Sequence, residues 1–208
     1  EEIILKALSK EKAKRYSSAD EFLGALAVAV ESKGASSVPA SSGSPAESDV
    51  YLSYAGIDDQ FFAGDDEGWI SRFHRNLQVK LQQLTGREIN IFLPARSDGN
   101  DDAENPLLNE IPQAKSFLSV VSPPFASSAV CSNEVEAFVN NQASAQSKLI
   151  KVVKAPVDET RLSSIGDGVL SQVNNHDFYE QDSSGRVLEF EESFGEGLKR
   201  RYYEKIDR

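Results

Sequence analysis

The sequence predicts an α/β fold, with a five-stranded parallel sheet covered by helices on both faces. Two observations carry this prediction. Along residues 49–208, short apolar runs alternate with longer segments whose apolar residues recur every three or four positions. One of the apolar runs, Lys115 to Ser122, has the near-continuous apolar character of a strand that is buried on both faces. The strict alternation indicates a flavodoxin-like strand order, in which loops at the carboxyl ends of the strands form the binding crevice.

The first half of this region contains two predicted strands, each followed by a helix. In the longer helix, apolar residues spaced by three or four positions form one stripe, and Gly86 ends it. Pro106 lies in the first turn of the shorter helix, a position that proline favours. The predicted elements are a strand at Asp49–Tyr54, a helix at Glu67–Leu84, a strand at Glu88–Leu93 and a short helix at Pro106–Ala114.

The second half continues the same alternation. The residues Asp182 to Gly185 read DSSG, which is a tight-turn signal. The remaining predicted elements are a strand at Lys115–Ser122, a helix at Ser127–Gln146, a strand at Lys148–Lys154, a fifth strand that begins at Asp177–Tyr179, and a basic C-terminal helix from Gly197.

Composition excludes several classes of protein. The 208 residues are 39% hydrophobic and 26% charged, which fits a globular domain rather than a disordered chain. No apolar run is long enough to cross a bilayer. The net charge of −11 argues against binding to nucleic-acid phosphates. A single cysteine, Cys131, excludes a disulfide framework, so we expect a reducing, cytoplasmic compartment and no membrane contact.

The residues before this domain form two further segments. Residues 28–48 are rich in Ser, Gly and Pro and bury too little to order themselves, so they are predicted to be a flexible linker. Residues 1–27 contain two short amphipathic helices that cannot form a core alone. We therefore expect them to be the end of an upstream domain, and the chain to be a fragment of a longer protein.

Three polar segments follow the first three strands and should meet at one edge of the sheet. They read SYAGIDD, PARSDGNDD and SPPFASSAVCSNEVEAF. No metal site is predicted. The acidic and amide side chains that alternate from Asp98 to Glu104 resemble the start of a calcium loop, but Ala103 stands where Gly is required and Asn109 where the bidentate Glu should be. Elsewhere, His74 and His176 have no second His or Cys at ligand spacing.

Several of these segments resemble the bacterial type of Toll/interleukin-1 receptor (TIR) domain, over about 155 residues. DVYLSYAGIDD is similar to the opening strand and Ser-Tyr-Ala box of that family. FLSVVSPPFASS, followed by Cys131 and Glu134, resembles its third strand and C-x-x-E helix. GWISRFHRNLQVKLQQLTG and FYEQDSSGRVLEFEESFGEGLKRRYYEKID are similar to its first helix and to its last strand and helix.

The N-terminal segment carries a second resemblance. KALSK, Arg15 and SSADEF are spaced as at the C-terminal end of Hanks-type Ser/Thr kinase domains. The resemblance covers about 26 residues and includes neither a Gly-rich loop nor a catalytic Asp, so kinase activity is not expected here. Together the two resemblances imply a bacterial kinase-linker-TIR protein, with the kinase in the same chain.

The TIR resemblance implies a site for NAD, which many bacterial members cleave to nicotinamide and ADP-ribose or a cyclic product. NAD would be a substrate, and no cofactor is implied. Glu134 matches the catalytic carboxylate, near the start of a helix whose dipole favours the ionised form. The residues that match the crevice wall and mobile flap are Tyr54, Ala55, Phe92, Arg96 and Asp98.

Two departures from the family pattern leave the activity open. Val130 stands where enzymatic members usually have Trp. Bacterial relatives often have an aromatic residue and an Asp after strand two, whereas the residues here are Phe92, Leu93, Pro94 and Ala95. The first interpretation is therefore an NAD glycohydrolase that is switched on by self-association. The alternative is a non-catalytic scaffold that pairs with other TIR domains.

Overall fold

The structure is a computed structural model that describes residues 48–61, 66–96, 108–142, 144–191 and 195–207. The kinase-like segment predicted at residues 1–27 lies outside the described residues. So does the predicted linker at 28–48, apart from Ser48, and so does Asp98.

A five-stranded parallel sheet forms the centre of the fold, in the order β2-β1-β3-β4-β5. A separate antiparallel hairpin of β6 and β7 follows it. The predicted α/β fold with flavodoxin-like strand order is therefore confirmed. The strands are β1 (Val50–Ser53), β2 (Ile91–Phe92), β3 (Ser116–Val121), β4 (Leu149–Val153), β5 (Asn175–Asp177), β6 (Tyr179–Gln181) and β7 (Val187–Glu189).

Helices cover both faces of the sheet. Side chains alternate along β1, so Tyr51 packs in the core on one face and Leu52 in the core on the other. The Tyr51 face is covered by α2, α3 and α4, and the Leu52 face by α1 and α5. The helices are α1 (Trp69–Thr85), α2 (Ala129–Asn140), α3 (Glu159–Leu162), α4 (Val169–Gln172) and α5 (Glu196–Ile206).

Helix α1 agrees closely with its prediction. Ile70 and Phe73 are buried on its apolar stripe. The helix ends at Gly86, which has φ = 67° and donates its N–H to the carbonyl of Gln82. In the described part of the chain, no helix is both long enough and apolar enough to cross a membrane.

Some predicted boundaries were wrong. Strand β2 has two residues instead of six: it is an edge strand of the described sheet, where β1 is its one partner and pairs with Ile91 and Phe92. The C-terminal part of the predicted short helix at 106–114 is a single 3₁₀ turn, Ile111–Gln113. Helix α2 ends at Asn140, since Asn141 leaves the helical conformation with ψ = 1°.

The last predicted strand also needed correction. The fifth strand of the sheet is Asn175–Asp177, and Tyr179 instead begins the hairpin. Phe178 separates the two elements and is buried with Trp69 and Phe73 on the α1 face. The predicted DSSG turn connects the two hairpin strands, with Gly185 at φ = 81°.

Candidate active site

A buried carboxylate, that of Glu134, lies between α2 and the first strand of the sheet. Its side chain is fully buried, with 0% exposure. The hydroxyl of Tyr51 donates to Oε1 at 2.7 Å, and the hydroxyl of Ser53 donates to Oε2 at 2.7 Å. Tyr51 and Ser53 are two residues apart on β1 and therefore point to the same face of the sheet.

Arg96 adds a positive charge to this carboxylate. Its Nη2 atom lies 2.9 Å from Oε1 and 2.7 Å from Oε2 of Glu134. Arg96 follows the edge strand β2, and its side chain is only 11% exposed. Burial lowers the pKa of Arg96, but the charge and hydrogen bonds of Glu134 outweigh that effect and raise the pKa above its usual range. The guanidinium is therefore a permanent cation at this site.

The aromatic ring of Tyr54 lies against the Arg96 guanidinium. The Cζ atom of Arg96 lies 5.3 Å from the centroid of the Tyr54 ring, which is a cation–π arrangement. The Tyr54 hydroxyl donates to the carbonyl of Pro94 at 2.9 Å, which holds the chain after β2 near β1. Burial and the charge of Asp59 raise the pKa of Tyr54, so its hydroxyl stays protonated at neutral pH.

A cavity of about 280 Å³ opens next to this group. Asp59, which lines this cavity, accepts hydrogen bonds from the backbone N–H and the hydroxyl of Ser71. These two hydrogen bonds fix the Asp59 carboxylate. Among the described residues, the cavity is lined by Tyr54, Gly56, Asp59, Gln60, Phe61 and Arg96.

A second cavity of about 450 Å³ shares Gln60 and Phe61 with the first. Lys154, a residue that follows β4, lines this second cavity. Its Nζ lies 2.9 Å from Oε2 of Glu189 and 3.6 Å from Oδ1 of Asp58. The Lys154 ammonium also lies 5.9 Å from the centroid of the Trp69 ring. The two cavities together place one arginine and one lysine at the carboxyl end of the sheet.

Asp58 belongs to this second group and is almost fully buried. It accepts a short hydrogen bond from Ser122, at the end of β3. Burial raises the pKa of the Asp58 carboxyl, while Ser122 and Lys154 oppose that change. Ser122 also accepts the backbone N–H of Phe125, so this group has a clear role in holding the ends of β1, β3 and β4 together.

The structure brings three of the predicted site residues together: Glu134, Arg96 and Tyr54. Phe92 is buried below them and stacks on the ring of Tyr51, with the ring centroids 5.6 Å apart. Ala55 and Val130 are also buried, with exposures of 0% and 8%. Neither is among the described residues that line the two cavities.

The position of Glu134 on its helix differs from the expectation. Helix α2 begins at Ala129, so Glu134 lies in the second turn, where the helix dipole has little effect. The Ser128 side chain caps the helix by accepting the N–H of Cys131. Side chains from other elements, and not the helix end, therefore stabilise the charge of Glu134.

Sequence reasoning missed the two hydroxyls that hold Glu134. Tyr51 is predicted only as part of a strand and Ser53 only as the first residue of the Ser-Tyr-Ala box, although both point to one face of the strand and both carry a hydrogen-bond donor. A pair of hydroxyls on one face of an otherwise apolar buried strand is the signal that could have revealed them, since buried hydroxyls need partners.

The described residues contain no group of three or more His, Cys, Asp or Glu side chains that could hold a metal ion. Comparison with known proteins gives no match to this chain among protein-family models, curated proteins or solved structures.

Proposed function

We propose that residues 49–208 form a TIR domain that cleaves NAD at the bond between nicotinamide and ribose. The observation that carries this proposal is the Glu134 carboxylate, which two β1 hydroxyls orient and which pairs with Arg96, a residue that lines the first cavity together with Tyr54. The sequence motifs that resemble TIR domains lie on these same elements. Without that resemblance, the site alone would indicate only a binding site for a cation.

The reaction needs little more than such a carboxylate. The bond between nicotinamide N1 and ribose C1′ breaks, and its electron pair neutralises the pyridinium ring, so neutral nicotinamide leaves. The ribose becomes an oxocarbenium-like cation, which the Glu134 carboxylate would stabilise. Water then attacks C1′ and releases a proton, which yields ADP-ribose. In a cyclising variant, a nitrogen or hydroxyl of the same ADP-ribose takes the place of water.

Tyr51 and Ser53 would act as positioning residues in this mechanism. They occupy one lone pair on each oxygen of Glu134 and so fix the plane of the carboxylate. A fixed carboxylate stabilises developing positive charge without reorganising during the reaction.

The two adjoining cavities are consistent with a dinucleotide, which has two halves joined by a pyrophosphate. The domain is acidic: residues 49–208 contain 26 acidic and 16 basic side chains. Its overall field therefore opposes an anionic ligand. Arg96 and Lys154 each line one cavity, and both are paired with carboxylates, Arg96 with Glu134 and Lys154 with Glu189 and Asp58. A pyrophosphate would therefore compete with carboxylates for the Lys154 ammonium.

The wider setting of the proposal follows from the sequence. We propose a cytoplasmic signalling protein in bacterial immunity, in which an upstream kinase domain and a serine-rich linker precede the TIR domain. Self-association with other TIR domains would switch on the activity. Exposed apolar side chains near the carboxyl end of the sheet, Ile57 and Phe61, are available for such contacts, with exposures of 58% and 61%.

A non-catalytic scaffold is the second candidate function, and one observation favours it. The Glu134 carboxylate is fully buried and paired with Arg96, as a purely structural ion pair would be. In addition, Val130 leaves the site without the large flat side chain that enzymatic TIR domains usually have there. In this case the domain would only assemble with other TIR domains.

One assay separates the two candidates. The domain, fused to an oligomerising coiled coil, is incubated with NAD, and nicotinamide release is followed by chromatography. Glu134→Gln should lower the rate by about 100-fold or more, because it removes the charge that stabilises the transition state. Glu136→Gln is the matched control, since Glu136 lies on the same helix and is partly exposed.

The outcomes are distinct. Activity that survives Glu134→Gln would contradict the proposed mechanism. Absence of activity in every assembled state of the wild type would favour the scaffold. A gain of activity in Val130→Trp would then locate the defect in the wall of the pocket.

A further inference from the structure

The place that Arg96 occupies has a specific chemical character. Its flat, delocalised cation lies between a carboxylate and an aromatic ring, with Nη2 2.7 Å from Oε2 of Glu134 and Cζ 5.3 Å from the Tyr54 ring centroid. Such a place is suited to planar cations in general, since the carboxylate neutralises the charge and the ring stabilises the flat face.

The ion pair between Arg96 and Glu134 does not use the full geometry of arginine. Both hydrogen bonds come from one nitrogen, Nη2, whereas the strongest arginine–carboxylate pairs use two nitrogens in parallel. The Nε atom of Arg96 is buried and finds no hydrogen-bond partner among the residues that the structure describes. An unpaired buried donor is unfavourable, so this contact leaves part of the hydrogen-bonding capacity of the arginine unused.

The carboxylate does not depend on Arg96 for its position. The hydroxyls of Tyr51 and Ser53 donate to the two oxygens of Glu134 independently of Arg96, so we expect them to keep the carboxylate oriented when Arg96 leaves. The site can therefore release one cation and accept another without losing the orientation of the carboxylate.

We propose that the Arg96 guanidinium occupies a subsite for planar cations. Arg96 blocks this subsite until the cation of a ligand displaces the guanidinium. The inference rests on the proposed function for the identity of that cation, the pyridinium ring of NAD, which is also flat, delocalised and positively charged. Arg96 and the nicotinamide ring then exclude each other, and the site as observed is the closed form.

The direct test measures binding rather than turnover. Arg96→Ala empties the subsite, and the probe is 1-methylnicotinamide, a planar cation without a leaving group that this site could release. Isothermal titration calorimetry should show that the variant binds this probe at least about tenfold more tightly than neutral nicotinamide, because only the probe carries the charge. The wild type should bind both probes at least about tenfold more weakly than the variant binds the cation.

Three further variants control the result. Arg96→Met keeps an apolar stem in place of the missing side chain and should bind the cation as Arg96→Ala does, which covers the case in which the alanine variant does not fold. Adding Glu134→Gln to either variant should abolish the preference for the cation. Arg75→Ala should behave as the wild type, since Arg75 is 53% exposed and pairs with Glu67.

Each outcome separates the inference from the proposed function. If the folded Arg96 variants bind the cation no better than the wild type does, Arg96 does not block a cation subsite and the inference fails. If they bind it but neither they nor the wild type release nicotinamide from NAD when assembled, the hydrolase proposal fails and the subsite stands. If the unassembled wild type already releases nicotinamide as fast as Arg96→Ala, the site is not blocked and the inference fails alone.

Discussion

Tyr51→Phe isolates one hydrogen bond in the candidate active site. The substitution removes the hydroxyl that donates to Oε1 of Glu134 at 2.7 Å and leaves the ring in place. That ring stacks on Phe92 and Phe117, with centroid distances of 5.6 and 5.4 Å, so the packing of the core should be preserved. The change therefore tests the polar contact with little effect on buried apolar area.

The expected loss of stability is about 2 kcal/mol. A hydrogen bond to a charged group contributes about 1.5–3 kcal/mol, and the cost is high when the acceptor remains buried. Glu134 is fully buried, but Ser53 and Arg96 still donate to it, which argues for the lower half of that range. Under the proposed function, the rate of NAD cleavage should also fall, because the carboxylate is less well oriented.

Urea unfolding, followed by circular dichroism, measures this loss as a shift of the midpoint at constant slope. Tyr179→Phe, in the β6–β7 hairpin, is the matched control and should change stability by less than about 0.5 kcal/mol. In the Glu134→Gln background, Tyr51→Phe should cost about half as much, because the hydrogen bond is then between neutral groups. A loss below about 0.5 kcal/mol in the wild-type background would refute the view that Tyr51 holds the carboxylate.

Four other substitutions test the fold and its buried ionisable groups. Gly68→Ala should destabilise the domain by more than about 2 kcal/mol in urea unfolding, because a Cβ at Gly68 would lie 1.9 Å from the Asp59 carbonyl oxygen. The control is Gly197→Ala in α5, where a Cβ meets no atom within 4 Å, and this substitution should stabilise the domain by up to about 1 kcal/mol. Burial lowers the pKa of His74 below 6.5, so in mild acid the unfolded chain binds more protons than the native one. The free energy of unfolding should therefore fall as the pH drops below 6.5. His74→Gln should remove the contribution of His74 to this fall. Burial also lowers the pKa of Lys151 below 10.5, so the native chain releases this proton at a lower pH than the unfolded chain does. The free energy of unfolding should therefore rise as the pH approaches 10.5, and that of Lys151→Met should lack this rise over the same pH range. A variant whose pH profile is parallel to that of the wild type would show that its ionisable group contributes nothing.

The fold could be read from the sequence because its signals are local. The apolar stripe of α1, with Ile70 and Phe73, repeats within a few residues, and Gly86 ends the helix through its own backbone freedom. The edge strand β2 was overestimated for the opposite reason. Its length depends on how many residues pair with β1, and no local pattern records that pairing.

The candidate site was only partly readable. The resemblance to TIR domains predicts Glu134, Arg96 and Tyr54 as site residues, and the structure brings these three residues together. It did not indicate that Arg96 would sit on the carboxylate, since the two residues are 38 positions apart. Asp98 stays a prediction, because it lies outside the described residues.

By itself, the sequence determined the α/β class, the alternation of elements and the edge of the sheet where polar loops meet. These features follow from periodicity and from the right-handed crossovers that almost always connect parallel strands. Only the tertiary structure decided what surrounds the carboxylate of Glu134, because Tyr51 and Ser53 lie 83 and 81 residues away along the chain. A buried charge is stabilised by groups that the fold brings close in space, and distance along the chain does not restrict which groups those are.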